Sequence, residues 1–231
     1  TVLVLGVAGE REEIDAAQGY GFPPPFAFLN AEQDQRSVFA TAQGTLRAVT
    51  LTGALRVDDY EGFGSHLTGR FGASFNATSN LRIYGAFGTS FRAPTVYERF
   101  ASFGDPNLDP EHGETWEVGA QTQFDMFGLE AEALYRRTEI EDLIDFGMSN
   151  YENIDRAEIE TIETRISVRP VSWFSLQAGY IYTDAQDAIA NTQLLRRPEN
   201  AWTAAAEVTH GGFTGRVAWR SVGDRNDVLY D

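Results

Sequence analysis

Cysteine is absent from all 231 residues. No disulfide framework, thiolate metal site or thiol nucleophile can be built from this chain. Lysine is absent too, so the 18 basic residues are all arginine, set against 34 Asp and Glu for a formal charge of −16. Such a surface repels phosphate backbones, and no clustered basic stripe offsets it, which argues against nucleic acid as a partner. No run approaches the ~18 consecutive apolar residues that a membrane-spanning helix requires. A signal segment is missing as well: Thr1 opens directly into strand-like sequence, which predicts a processed segment or an internal piece of a longer chain. His66, His112 and His210 lie far apart in sequence without paired ligand spacing, so each is expected to be a surface residue. Neither H-E-x-x-H nor G-x-S-x-G occurs, and the glycine-rich "GFGSHLTGRFG" lacks the strand–loop–helix setting of a phosphate cradle. The expectation is no enzyme, no cofactor and no metal centre.

What the chain does have is aromatics, glycine and a two-residue rhythm. It carries 16 Phe, 9 Tyr and 4 Trp, residues suited to strands and to a water–lipid boundary. In Leu81–Phe91 the odd positions include Leu81, Ile83, Phe87 and Phe91, while Arg82, Tyr84, Ala86 and Ser90 take the even ones. Leu67, Phe71 and Phe75 alternate likewise with Thr68, Arg70 and Ser74, and Trp116, Val118 and Phe124 with Glu117, Gln121 and Gln123. A helical period fits these segments less well. About eleven strands follow, near 2–14, 35–45, 48–58, 66–76, 80–92, 113–124, 128–146, 151–169, 172–184, 196–209 and 213–224. Their connections alternate between tight turns and a set that includes long loops at 15–34, 93–112 and 185–195.

Two architectures produce this pattern. A soluble β-sandwich turns its apolar faces into a shared core, whereas a membrane β-barrel turns them to lipid and lines a lumen with the other face. The second face here carries Arg56, Arg70, Arg82, Arg216 and Arg220, which a polar lumen accommodates. Strands of about ten residues match the hydrocarbon thickness, and short inner turns with longer outer loops are the outer-membrane arrangement. The all-β, antiparallel transmembrane barrel is therefore preferred over the sandwich. Eleven is an odd number, and an unclosed sheet in lipid leaves backbone groups unpaired. The chain thus reads as a fragment, about half of a barrel of roughly twenty-two strands, the size of plugged outer-membrane transporters.

The string "YGAFGTSFRAPTVYERFASFGDPNLDPEHGETWEVG" carries a resemblance. It is similar to the barrel signature of TonB-dependent outer-membrane receptors, in which an S-[FY]-[RK]-A-P strand end precedes a loop with N-P-N-L-x-P-E and then a W-E strand. Ser90 to Pro94, Asp105 to Glu111, and Trp116-Glu117 hold these places, with Asp105 where the family has Asn. In "EIEDLIDFGMSNYENIDRAEIETIETR", Leu143, Ile144, Tyr151, Asn153, Ala157, Ile159 and Glu163 fit a second family string, and Thr161 stands where Gly is usual. "YTDAQDAIANTQLLRRP" resembles the corresponding loop of the cobalamin (vitamin B12) receptors. The resemblance is strong over 80–225 and weaker over 1–79. It implies residence in the bacterial outer membrane, in contact with outer-membrane lipid. It also implies energised uptake of a scarce small-molecule nutrient, cobalamin ahead of an iron–siderophore. A TonB complex would act through a plug domain, and both plug and closing strands are expected to lie outside this 1–231 barrel piece. A passive or structural barrel, or an adhesin, stays open as an alternative, with a soluble carbohydrate-binding β protein behind it.

Candidate cargo contacts lie in the loop after Arg92. Tyr97, Phe103 and Asn107 are placed to touch a ligand, and Arg92 could meet an anionic group; equally, the aromatics could fold the loop on itself and Arg92 could pair with a lumen carboxylate. The acidic run Glu139, Glu141, Asp142 and Asp145 has the oxygen chemistry for Ca²⁺, but its alternation scatters the side chains and a solvated strand extension is the better reading. "YGFPPPFAF", residues 20–28, reads as a stiff apolar outer loop.

Overall fold

A computed structural model describes residues 1–18 and 27–227. Its strands are β1 (Val2–Gln18), β2 (Ala27–Leu46), β3 (Val49–Tyr60), β4 (Gly64–Asn76), β5 (Leu81–Arg92), β6 (Glu111–Phe124), β7 (Leu129–Phe146), β8 (Tyr151–Val171), β9 (Phe174–Asp187), β10 (Thr192–Gln193), β11 (Asn200–His210) and β12 (Phe213–Val222). They form one antiparallel sheet in chain order, with the two-residue β10 pairing back on β9. One short helix, α1 (Val96–Phe100), interrupts the 93–110 connection. No helix among the described residues is long and apolar enough to cross a membrane; crossing by strands is a separate matter.

Register converts alternation into two faces. On one, Gly85, Val118, Tyr135 and Ile162 lie in a single row across β5–β8. Val7, Val38, Val57 and Leu67 form another across β1–β4. These side chains remain widely exposed, Val7 at 79% and Leu67 at 67%, and no protein layer covers them. The opposite face is polar and internally paired. Glu117 receives the guanidiniums of Arg70 and Arg136, Arg136 reaches Glu163 at 3.2 Å, and the Tyr84 hydroxyl donates to Glu132 at 2.7 Å. Tyr84 lies across Gly119, where any Cβ would collide with its ring. An apolar outer face with a polar, ion-paired inner one is the arrangement of a membrane barrel wall, so the sandwich alternative falls.

The two ends of the sheet differ as the connection lengths foretold. At the tight end, β11 turns into β12 through Gly211 and Gly212 at φ 59° and 80°, a conformation that a side chain would strain. At the other end the strands outrun the expected boundaries. β1 continues to Gln18 and β2 starts at Ala27, so the loop expected over 15–34 narrows to residues outside the described set, where most of the "YGFPPPFAF" stretch also lies. At the base of this extension Arg11 and Asp34 face each other and bond at 2.6 and 2.8 Å, a polar pair that apolar alternation does not record. β9 likewise runs to Asp187 and pairs with β10 inside the expected 185–195 loop.

Among the described residues, buried hydrophobics are confined to this long-loop end. Val96 is fully buried, and Leu143, Ala157, Ala185 and Leu194 pack as one cluster with Ile140, Ile154 and Ile159 against it. The membrane part needs no such core, because lipid takes the place of a second layer.

Candidate functional site

The rim is organised around the top of β5. Arg92, its last residue, bonds Glu98 at 2.9 and 3.0 Å and also bonds Glu111. Glu98 is at the same time the third residue of a capping box: it accepts from the Thr95 backbone N–H at 2.8 Å, while Thr95 Oγ1 accepts from Glu98 N–H at 3.1 Å. Glu111 also accepts from Ile144 N–H at 2.9 Å. One guanidinium therefore ties β5, α1, the start of β6 and the end of β7. The Glu111 carboxylate is the main cause of the raised Arg92 pKa, opposed by burial and helped by Glu98.

Beyond Arg92 the chain crosses the sheet. Val96 N–H donates to Glu12 of β1 at 3.2 Å, and Arg99 lies 5.0 Å from the Phe63 ring centroid and 4.7 Å from that of Phe100. Tyr97 meets Tyr151 edge-on at 6.3 Å, Tyr151 meets Phe146 at 5.2 Å, and Phe146 meets Phe103 at 6.0 Å. Arg196 closes the group from another loop, 5.9 Å from the Phe146 centroid and ion-paired to Asp227 at 3.0 Å. Tyr97 and Phe103 keep about half their surface exposed, at 51% and 42%. They thus form an aromatic patch fixed from below and exposed above.

The four residues singled out in the loop are not one site. Tyr97 and Phe103 are brought together through Tyr151 and Phe146. Arg92 joins them only through α1, with its charge already shared between two carboxylates. Asn107 belongs to a turn, donating from its backbone and Nδ2 to Asp105 Oδ1 at 2.8 and 3.0 Å, and makes none of the ring contacts. Sequence reasoning missed Tyr151, Phe146 and Arg196 as members of the patch. It also gave no role to Asn153, which accepts from Asp109 N–H at 2.9 Å and donates to the carbonyls of Asp109 and Asp142 at 3.0 and 2.7 Å. Asn153 stands in the second family string, the one available signal.

His66 and His112, far apart in sequence, have ring centroids 5.7 Å from one another, with Phe91 stacked on His66 at 3.5 Å, because β4, β5 and β6 are neighbours. The acidic run of β7 is a solvated, partly paired extension: Glu139 bonds Arg137 and Arg156, and Asp145 lies 3.8 Å from Arg196. No group of three metal-ligating side chains converges among the described residues. Burial raises the pKa of Asp142, the nearby carboxylates of Asp109, Glu141 and Asp155 add to it, and His112 opposes.

An outward apolar band, a polar inner face and a braced rim of long connections define a wall segment of an outer-membrane β-barrel receptor. The family model described as "TonB dependent receptor-like, beta-barrel" matches residues 9–231, and the chain belongs to that family. Among solved structures it is similar to the copper transporter OprC, with 17% identity and a TM-score of 0.77 over 95% of this chain and 40% of that one. It is similar also to a mutant of the ferric enterobactin receptor PfeA from Pseudomonas aeruginosa, with 15% identity and a TM-score of 0.80 over 96% and 38%. The siderophore receptor PirA from Pseudomonas aeruginosa matches with 18% identity and a TM-score of 0.75 over 97% and 42%. At these identities the likeness is one of fold, and the chain spans about two fifths of each relative. The family is one of transport receptors, not enzymes, and its place is the bacterial outer membrane.

Proposed function

We propose that this chain is part of the wall of an energised outer-membrane importer of a scarce nutrient, and that it performs no catalysis. The observation that carries the reading is the braced aromatic patch of Tyr97, Phe103, Phe146 and Tyr151 at the long-loop end of a lipid-facing wall. Function gathers on loops held by a rigid scaffold, and here the holding is done by Arg92, Glu98, Glu111 and Asn153. A plug domain would complete the protein, with an inner-membrane TonB complex pulling on it and the remaining strands closing the barrel.

Cobalamin is the cargo favoured by the 182–198 string. The rim's charge supports it: carboxylates outnumber arginines on this end, and Arg92 is already committed, so a bulky cargo without net negative charge meets less repulsion than an anionic ferric tris-catecholate. A ferric siderophore is the second reading, favoured by the likeness to ferric enterobactin and siderophore receptors. In the cobalamin reading Tyr97 and Phe103 stack on the cargo, Asn107 offers an amide at the loop tip, and Arg92 positions α1. Equilibrium binding of cyanocobalamin and of ferric enterobactin to the full-length receptor separates the two. Saturable cyanocobalamin binding weakened by Tyr97→Ala is expected. Binding of ferric enterobactin alone would overturn the cobalamin assignment and leave the importer, and binding of neither would count against both cargoes.

A further inference from the structure

Two arginines of the rim stand in opposite states. Arg92 shares its charge between Glu98 and Glu111. Arg99, in the last turn of α1, forms no ion pair and no side-chain hydrogen bond among the described residues. It rests instead on rings, 5.0 Å from the Phe63 centroid and 4.7 Å from that of Phe100. Ring contact occupies the face of a guanidinium and leaves its in-plane N–H donors unserved. The Nε of Arg99 is buried without an acceptor, and native interiors leave few donors in that state unless an outside group serves them. The second such atom among the described residues is Oε1 of Gln33, which is 8% exposed.

Both atoms belong to one seam, α1 against β1 and β2. Val96 and Arg99 share a face of the helix; Val96 N–H donates to Glu12, and Glu12 is paired with Gln33. Glu12, Gln33 and Arg92 hold the same parity as Glu117 in the ladder, so the seam lies on the lumen side of the wall and not against lipid. What completes it must accept from the edge of a guanidinium, and the planar fork of arginine matches the oxygens of a phosphate or a carboxylate. The surroundings limit the charge. Glu12 lies across the seam and Glu98 precedes Arg99, so a second negative charge on the ligand would meet carboxylates and no second free cation.

We propose that Arg99, held on Phe63 and Phe100, is the subsite for a single phosphodiester of the cargo. The assignment rests on the cobalamin reading above, since that cargo carries one such group. Equilibrium binding to the full-length receptor tests it with cyanocobalamin and dicyanocobinamide, which share the corrin ring and differ in the phosphodiester-linked nucleotide. Arg99→Gln should weaken cyanocobalamin binding about tenfold, the equivalent of one charge-assisted contact, and leave dicyanocobinamide binding unchanged, which also shows α1 still in place. Equal losses for both corrinoids, or no loss for either, would overturn the subsite and leave the cargo reading standing. If cyanocobalamin does not bind, the cargo reading fails, and a titration with diethyl phosphate decides the subsite by itself. In full-length receptor labelled with ¹⁵N-arginine, the Arg99 Nε–H signal, identified by its loss in Arg99→Gln, should shift saturably. A signal that stays in place would overturn the proposal.

Discussion

In the membrane part of the sheet, the row Gly85, Val118, Tyr135 and Ile162 faces outward with nothing of the protein above it; two rows higher, the same strands present Thr89, Glu114, Glu139 and Glu158. Below, stability comes from closed backbone ladders and from lipid that tolerates apolar side chains. Above, water surrounds the strands, so the rim must supply its own core and its own ion pairs. The difference teaches that one continuous set of strands obeys two solvents, and that the change of solvent falls near the tilted ring pair of Phe87 and Trp116.

The comparison breaks most readily in the lower part. Phe71→Arg places a charge near mid-depth on the outward face and should destabilise the full-length barrel by about 2–4 kcal/mol in lipid. Ser74→Arg, on the inward face three residues away, should cost far less. Urea titration of both variants in bilayers checks this, and equal losses would erase the distinction between the faces. Next in size is the rim hub. Arg92→Ala leaves Glu98 and Glu111 without their cation and should lower the opening free energy of 93–110 by about 2 kcal/mol after allowance for solvent screening, read as faster amide exchange there and unchanged exchange in 70–76.

Asn153→Ala removes three loop bonds and should loosen the contact between 109 and 142 by about 1–2 kcal/mol, again without touching the lower ladders. The smallest effect concerns Asp142. Its pKa is raised in the folded rim, so the protonated form is the one folding favours. The ionised form is therefore a burden that appears as pH rises through the folded value and is absent below the ordinary carboxylate range. Asp142→Asn should slow exchange of the 142–146 hairpin end at pH 7 and leave it unchanged at pH 3. Its φ of 56° also suits asparagine.

The lower part was legible in the sequence because it obeys one rule. Lipid outside and polar lumen inside force strict alternation, so Leu67, Phe71 and Phe75 against Thr68, Arg70 and Ser74 sufficed to assign both faces. Its tight turns were legible for the same reason, at Gly211–Gly212 above all. The rim was not, because its contacts join residues distant in sequence: Arg11 with Asp34, Glu12 with Val96, Phe103 with Phe146. A local signal existed at Thr95 and Glu98, a capping-box spacing that announces α1 inside what reads as an irregular loop. Arg92 illustrates the remaining limit. Sequence placed it at the strand top, but only the fold shows that two carboxylates already share its charge.

The central claim is that β6 separates lipid from lumen residue by residue. Spin labels placed singly at 116–121 of the full-length receptor in bilayers, read by accessibility to oxygen and to a water-soluble nickel chelate, test it most directly. Labels at Trp116, Val118 and Ala120 should favour oxygen, and labels at Glu117, Gly119 and Gln121 the chelate, alternating at every residue. A uniform profile, or the opposite phase, would contradict the assignment of the two faces.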